Sequence, residues 1–241
     1  MALTAACTAV ASVAALSAPA QAVSPTDVLG YITQAYGVYQ KLAGNELTLE
    51  GAVNQLEADI ANAQTAIVAE IDAVTVAHVQ ACARSAYITA QDLPTMSPDR
   101  KSAFAGDTLS CAEEAKFQLE SVSSTAAADK LGLVLNVIGP IALFARTAAG
   151  LSNGTLKQDL ITGNNENIAR LAPSCFATPL TGDNEPGQPL EWQLVCTAYN
   201  GDMGFDSAFG VIDFSYASAR ALRNTSSPVS SAALPLLTAM N

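Results

Sequence analysis

Residues 49–74 read LEGAVNQLEADIANAQTAIVAEIDAV, and this stretch decides the fold class. After Leu49 the apolar positions fall at Val53, Leu56, Ile60, Ala63, Ile67, Ile71 and Val74. Steps of three and four residues line one face of an α-helix and come close to a heptad. No proline interrupts residues 49–91, so the pattern predicts one continuous helix about 60 Å long at 1.5 Å per residue. A rod of that length cannot bury its stripe alone. Other helices must lie against it.

The flanking segments supply them. Ser24-Pro25-Thr26-Asp27 is a helix start, with a capping hydroxyl, a proline at the first helical position and an acid in the first turn. Val28, Ile32, Ala35, Tyr36 and Tyr39 then share a face, and Gly44-Asn45 ends the helix. On the other side Leu93-Pro94-Thr95-Met96 is a turn, and Ser97-Pro98-Asp99 restarts a helix running through Phe104, Cys111, Ala115, Leu119 and Val122. These elements make an antiparallel helical hairpin. Residues 126–149 form a helix of another kind. From Leu131 to Ala145 Asn136 is the one polar side chain, and Gly139-Pro140 should kink or split it. A helix apolar on every face is the buried centre of a bundle.

Beyond residue 150 the composition changes. Leu151–Thr155 and Thr162–Asn165 carry loop signals, with a short helix expected around Glu166–Leu171. Prolines at 173, 179, 186 and 189 exclude a long helix. Residues 190–199 alternate in part and read as a strand, with Ser174–Thr178 as its partner. Phe205, Phe209, Ile212, Tyr216 and Ala219 return to helical spacing, predicting a last helix over 206–223. The Ser- and Pro-rich tail after Asn224 reads as loose.

The N-terminus sets the compartment. Met1–Ala22 is rich in Ala, Val, Leu, Ser and Thr and ends in Ala18-Pro19-Ala20-Gln21-Ala22. An apolar run closed by a small-x-small exit is the pattern of a secretory signal peptide, cut after Ala22. The usual basic start is missing, since the first basic residue is Lys41. Secretion makes the remaining cysteines, Cys82, Cys111, Cys175 and Cys196, a disulfide framework. Cys82 and Cys111 lie at similar distances from the turn at 93–96, and Cys175 and Cys196 lie on the two expected strands. Local pairing, Cys82–Cys111 and Cys175–Cys196, follows. No Cys-x-x-Cys occurs and His78 is the sole imidazole, which argues against structural zinc.

The predicted architecture is therefore mainly α: an antiparallel helical bundle over 23–150, built on a long hairpin, followed by a loop-rich region over 151–241 with a small disulfide-stapled β-hairpin. Acidic residues outnumber basic ones 22 to 11 and the net charge is −11. Such a chain repels nucleic acid and anionic headgroups.

No catalytic constellation stands out. His78 has no nucleophile motif beside it, and the carboxylate pairs Glu113-Glu114 and Glu57/Asp59 read as solvated helix faces. Asp183-Asn184-Glu185 and Asn200-Gly201-Asp202 with Asp206 are oxygen-rich, but neither has EF-hand spacing. Asn153-Gly-Thr and Asn224-Thr-Ser match the glycosylation pattern. No cofactor or metal is implied. Two functions from different classes fit. One is a secreted, non-catalytic module that binds another protein or a surface component. The other rests on the plan of residues 26–149, long amphipathic helices around one uncharged apolar segment, which resembles that of helical pore-forming toxins. That resemblance implies 131–145 as a membrane-entering segment. It covers the plan alone and carries no site residue across.

Overall fold

The computed structural model describes residues 25–180 and 191–240. The expected signal segment and the Asp183-Asn184-Glu185 loop lie outside them. The described chain is mainly helical, with a small antiparallel sheet near the C-terminus. Its helices are α1 (Pro25–Ala43), α2 (Leu49–Asp72), α3 (Ala77–Ala90), α4 (Pro98–Ser121), α5 (Thr125–Ala148), α6 (Gly154–Arg170), α7 (Ser215–Leu222) and α8 (Ser227–Thr238). The strands are β1 (Ser174–Pro179), β2 (Glu191–Thr197) and β3 (Met203–Phe209), in sheet order β1-β2-β3.

Helix α5 is the axis of the bundle. It packs against α1, α2, α3, α4, α6 and α8. From Leu131 to Ala145 every residue is buried, as expected of a helix apolar all round. It is not split at Gly139-Pro140. Pro140 lacks an N–H and leaves the Asn136 carbonyl without its helical donor, but the helix continues to Ala148. Gly139 serves close packing instead: a Cβ there would stand 2.5 Å from Tyr36 Oη and 2.8 Å from a Leu160 methyl. The Asn136 amide nitrogen has the internal partners its burial demands, while its Oδ1 is buried without one among the described residues. Its amide donates to Gly132 O (2.9 Å), Asn164 Oδ1 (2.7 Å) and Ser230 Oγ (3.3 Å).

The stripe of α2 is buried as read, at Val53, Leu56, Ile60, Ile67 and Ile71, and Val74 just beyond it is buried too. The single 60 Å rod is not formed. The helix stops at Asp72 and α3 starts at Ala77. Val74-Thr75-Val76 are three successive β-branched residues, which are weak helix formers. The break lets the two halves take different partners, α2 lying on α1 and α3 on α4. Side chains of α3 close the gap: Gln80 donates to Asp72 O (3.0 Å), and the Arg84 guanidinium meets the Asp72 carboxylate at 2.8 Å. The restart at Ser97 is as predicted, with Ser97 Oγ accepting from Arg100 N–H at 3.4 Å.

Three C-terminal expectations are corrected. Thr162–Asn165 is helical, not a loop, and α6 spans seventeen residues. Its Leu156, Leu160, Gly163 and Asn167 recur at helical spacing and face the core. The expected 206–223 helix is a strand followed by a short helix. Gly201 and Gly210, with φ of +86° and +78°, bracket β3 and break any helix there. The tail is not loose. Pro228 stands at the start of α8, and Val229, Ala233 and Leu237 are buried. A polar network locks it down: Asn167 Nδ2 donates to Ser226 Oγ and Ser230 Oγ, both at 2.8 Å, and Ser226 N–H donates to Asp129 Oδ1 at 2.6 Å.

Candidate interaction surface

Both disulfides are present, Cys82–Cys111 tying α3 to α4 and Cys175–Cys196 tying β1 to β2. They hold two separate places in the fold. The first sits in the flank of the bundle. The second lies inside a small core of its own, where Leu194, Cys196 and Ala198 meet Ala217 and Ala221 of α7.

That second core uses one face of the sheet. Trp192, Leu194 and Cys196 of β2 point toward α7, together with Cys175 and Ala177 of β1 and Ala208 of β3. The approach is close enough that a Cβ on Gly204 would overlap the Ala217 carbonyl. Alternation puts the other side chains on the opposite face. Phe176, Val195 and Phe205 are cross-strand neighbours there in one row. Phe176 is 53% and Phe205 50% exposed, and Val195 is shielded between them. The patch continues along β3 through Met203 and Phe209 into the following loop, where Val211 is 81% exposed. Large apolar side chains gathered on one surface mark a contact site more often than chance exposure does.

Its charge is one-sided. Residues 174–213 contain no Lys or Arg, while their described part carries the acids Glu191, Asp202, Asp206 and Asp213. The Asp213 carboxyl is held below its usual range by the Ser215 backbone N–H, which donates to it at 2.9 Å. The patch therefore presents apolar rows on a unit that carries carboxylates and no cation.

The residues singled out in the sequence do not converge. His78 is exposed, at one end of a 410 Å³ cleft between α3 and α4 that also holds Arg100 and Asp107. Glu113 and Glu57 are exposed, and Glu114 accepts from Gln118 at 2.8 Å. Asp59 departs from the solvated-face reading. It is buried with Oδ2 unpartnered, and burial pushes its carboxyl above the usual range. Asp202 is already engaged: it accepts from Asn200 Nδ2 of its own turn (3.2 Å) and from Asn224 Nδ2 beyond α7 (2.7 Å). Asn153 spends its amide on Tyr39 Oη (2.5 Å) and Thr147 Oγ1 (2.8 Å). Among the described residues no group of three His, Cys, Asp or Glu side chains is placed to hold a metal ion.

The aromatic face is what sequence reasoning missed. The signal was the alternation Met203, Phe205, Ser207, Phe209, masked by the helical spacing of Phe205, Phe209, Ile212 and Tyr216. Compared with protein families, with characterised proteins and with solved structures, the chain has no match.

Proposed function

We propose that the protein is a secreted, non-catalytic helical module that binds another protein or a surface component through the outer face of its C-terminal sheet. The supporting observation is the exposed row of Phe176 and Phe205 with Phe209 and Val211 beside it. The helical bundle is the scaffold that carries this face. The two disulfides fit an oxidising compartment, as secretion requires.

The pore-forming reading is weaker. Helix α5 is the one described helix long and apolar enough to cross a membrane, and 83% of its most apolar window is buried among other helices. Inserting it would dismantle the bundle. The exposed patch, in turn, lacks the Lys and Arg that would meet lipid headgroups.

A photo-crosslinking residue at Phe209 tests the proposal on intact cells and their culture medium. Discrete cross-links to a protein or surface polymer are expected from this position. Position Phe117, an isolated exposed aromatic on α4, is the control. Equal cross-linking from both sites refutes the assignment. Leakage of dye-loaded liposomes on mixing with the protein would favour the membrane-active reading. Secretion itself predicts Val23 at the N-terminus of protein from the medium, and an intact Met1 contradicts it.

A further inference from the structure

The two edges of the sheet are not equivalent, and the hydrogen-bond parity shows why. Cys175 and Cys196 stand directly opposite with a Cα separation of 4.1 Å. That is the narrow spacing of a non-hydrogen-bonded antiparallel pair. Alternation then makes Phe176–Val195 a hydrogen-bonded pair and turns the nitrogen of Pro179 off the sheet. Leu180 N–H donating to Glu191 O at 2.9 Å continues the same parity. Proline costs nothing at such a position and blocks strand addition. The β1 edge is thus closed at both ends, by Pro173 before it and Pro179 within it.

On β2 the parity turns the peptide groups of Trp192, Leu194 and Cys196 toward β3. Their partners Ala208, Asp206 and Gly204 complete the ladder. The next pair in step is seen in Ala198 N–H donating to Asp202 O at 2.9 Å. Met203, Phe205, Ser207 and Phe209 therefore aim their N–H and C=O groups off the sheet. Two of these groups are already used: the Ser207 N–H donates to Asp206 Oδ1 at 2.8 Å, and the Phe209 carbonyl accepts from Val211 N–H at 3.0 Å. The peptide groups of Met203 and Phe205 and the Ser207 carbonyl have no partner among the described residues. These same residues carry the exposed side chains of the outer face. Free backbone and free apolar side chains thus coincide on one strand that has no proline and no lysine.

We propose that β3 is a docking edge for an extended segment of a partner protein, added as a fourth strand, in which apolar side chains alternate with basic ones. The inference rests on reading the outer face as the contact surface, and it names how that surface is used. Backbone pairing along Met203–Ser207 supplies the register, and the Phe205 row receives the apolar side chains. The basic preference follows from Asp206, which alternates with Phe205 along β3, and from the other acids of the unit, Glu191, Asp202 and Asp213, with no cation among residues 174–213 to offset them. A second copy of this chain would bring the same acids against themselves.

The test uses the full secreted chain and three synthetic heptapeptides. One alternates Lys with Val, one alternates Glu with Val, and one keeps the Lys residues but has proline at its centre. Fluorescence anisotropy gives the affinities, and amide hydrogen exchange reads the site. The Lys–Val peptide is expected to bind at least tenfold tighter than either of the others and to slow exchange at Phe205. Met203→Pro deletes an outward N–H without touching the ladder to β2, and should weaken this binding fivefold or more at unchanged melting temperature. Phe205→Lys should weaken it as well, by repelling the basic peptide. Equal affinity for the proline-containing peptide would show mere charge attraction and overturn the proposal, as would no binding or no protection at Phe205. Self-association of the free protein at the same concentration would assign the edge to a second copy and also overturn it. If cross-links from Phe209 persist in Met203→Pro at full yield, the edge is wrong while the contact surface stands. If Phe209 gives no cross-links in the parent protein, the surface reading itself fails.

Discussion

The helical bundle and the sheet unit of this chain solve the problem of a core in opposite ways. The bundle surrounds α5 with six helices and buries nearly every large apolar side chain it has. The sheet unit, residues 174–222, has a core of a few side chains against one short helix, with Trp192 and Phe214 packed on it, and turns Phe176, Phe205 and Phe209 outward. A unit that small buries too little to be stable on packing alone. Its disulfide makes up part of the difference, and its large side chains are left free for something else. Size of core and use of surface are linked: the part that needs its aromatics least for stability is the part that displays them.

The largest expected effect lies in the bundle. Leu135→Asp places a carboxylate at a fully buried position of α5. An unpaired buried charge costs several kcal/mol against a total stability of about 5–15 kcal/mol. The variant should be unfolded by circular dichroism. Retained folding with an unchanged melting temperature would mean that α5 is not the axis of the core.

Next comes the staple of the sheet unit. Replacing Cys175 and Cys196 by Ser opens a link spanning 21 residues, worth about 3 kcal/mol in the chain-entropy account. Trp192 is the sole tryptophan and packs against the small core. Its fluorescence transition should fall well below the helical one, so that the two regions melt apart. Coincident transitions would show that the sheet unit leans on the bundle more than on its disulfide.

A smaller effect is expected at Asp59, the buried carboxyl between α2 and its neighbours. Among the described residues Tyr31 of α1 interacts with it, and Tyr87 of α3 donates to the neighbouring Ile60 carbonyl at 3.4 Å; burial raises both of their hydroxyl pKa values. They stay neutral across the range in question. Because folding raises the Asp59 pKa, its contribution to stability is fully present below the unfolded value of about 3.9 and is lost as the pH rises through the folded value. Asp59→Asn mimics the neutral form. It should melt higher than the parent at pH 7, with the gap closing toward pH 4. A gap independent of pH would mean that the carboxylate is not desolvated.

The smallest effect on stability belongs to the outer face. Met203→Ser or Val211→Ser should change unfolding free energy by no more than about 0.5 kcal/mol, as for other exposed sites. Both should still lose partner cross-linking. A loss of several kcal/mol would show that these side chains belong to the core and not to a contact surface.

The sequence by itself determined what depends on neighbours a few residues away. The α2 stripe, the Ser97 cap, the uniform apolarity of 131–145 and the strand pair at 174–178 and 190–199 were all legible, because periodicity and capping are local. The break at Val74–Val76 was not: its weak helix formers are tolerated in many helices, and only the separate partners of α2 and α3 make the chain stop there. Thr162–Asn165 looked like a loop, yet Gly163 and Asn164 are held helical by Leu135 and Asn136 of α5. Residues 206–223 fitted one helix by spacing, yet the chain is strand up to Phe209 and helical only from Ser215, because Gly201 turns it back along β2 and a paired edge outweighs local preference. Ser226 and Ser230 looked like a loose tail until buried asparagines and Asp129 gave them partners. Each of these decisions rests on a contact from far along the chain, and the aromatic face rests on one more: which side of a strand meets α7 and which is left to solvent.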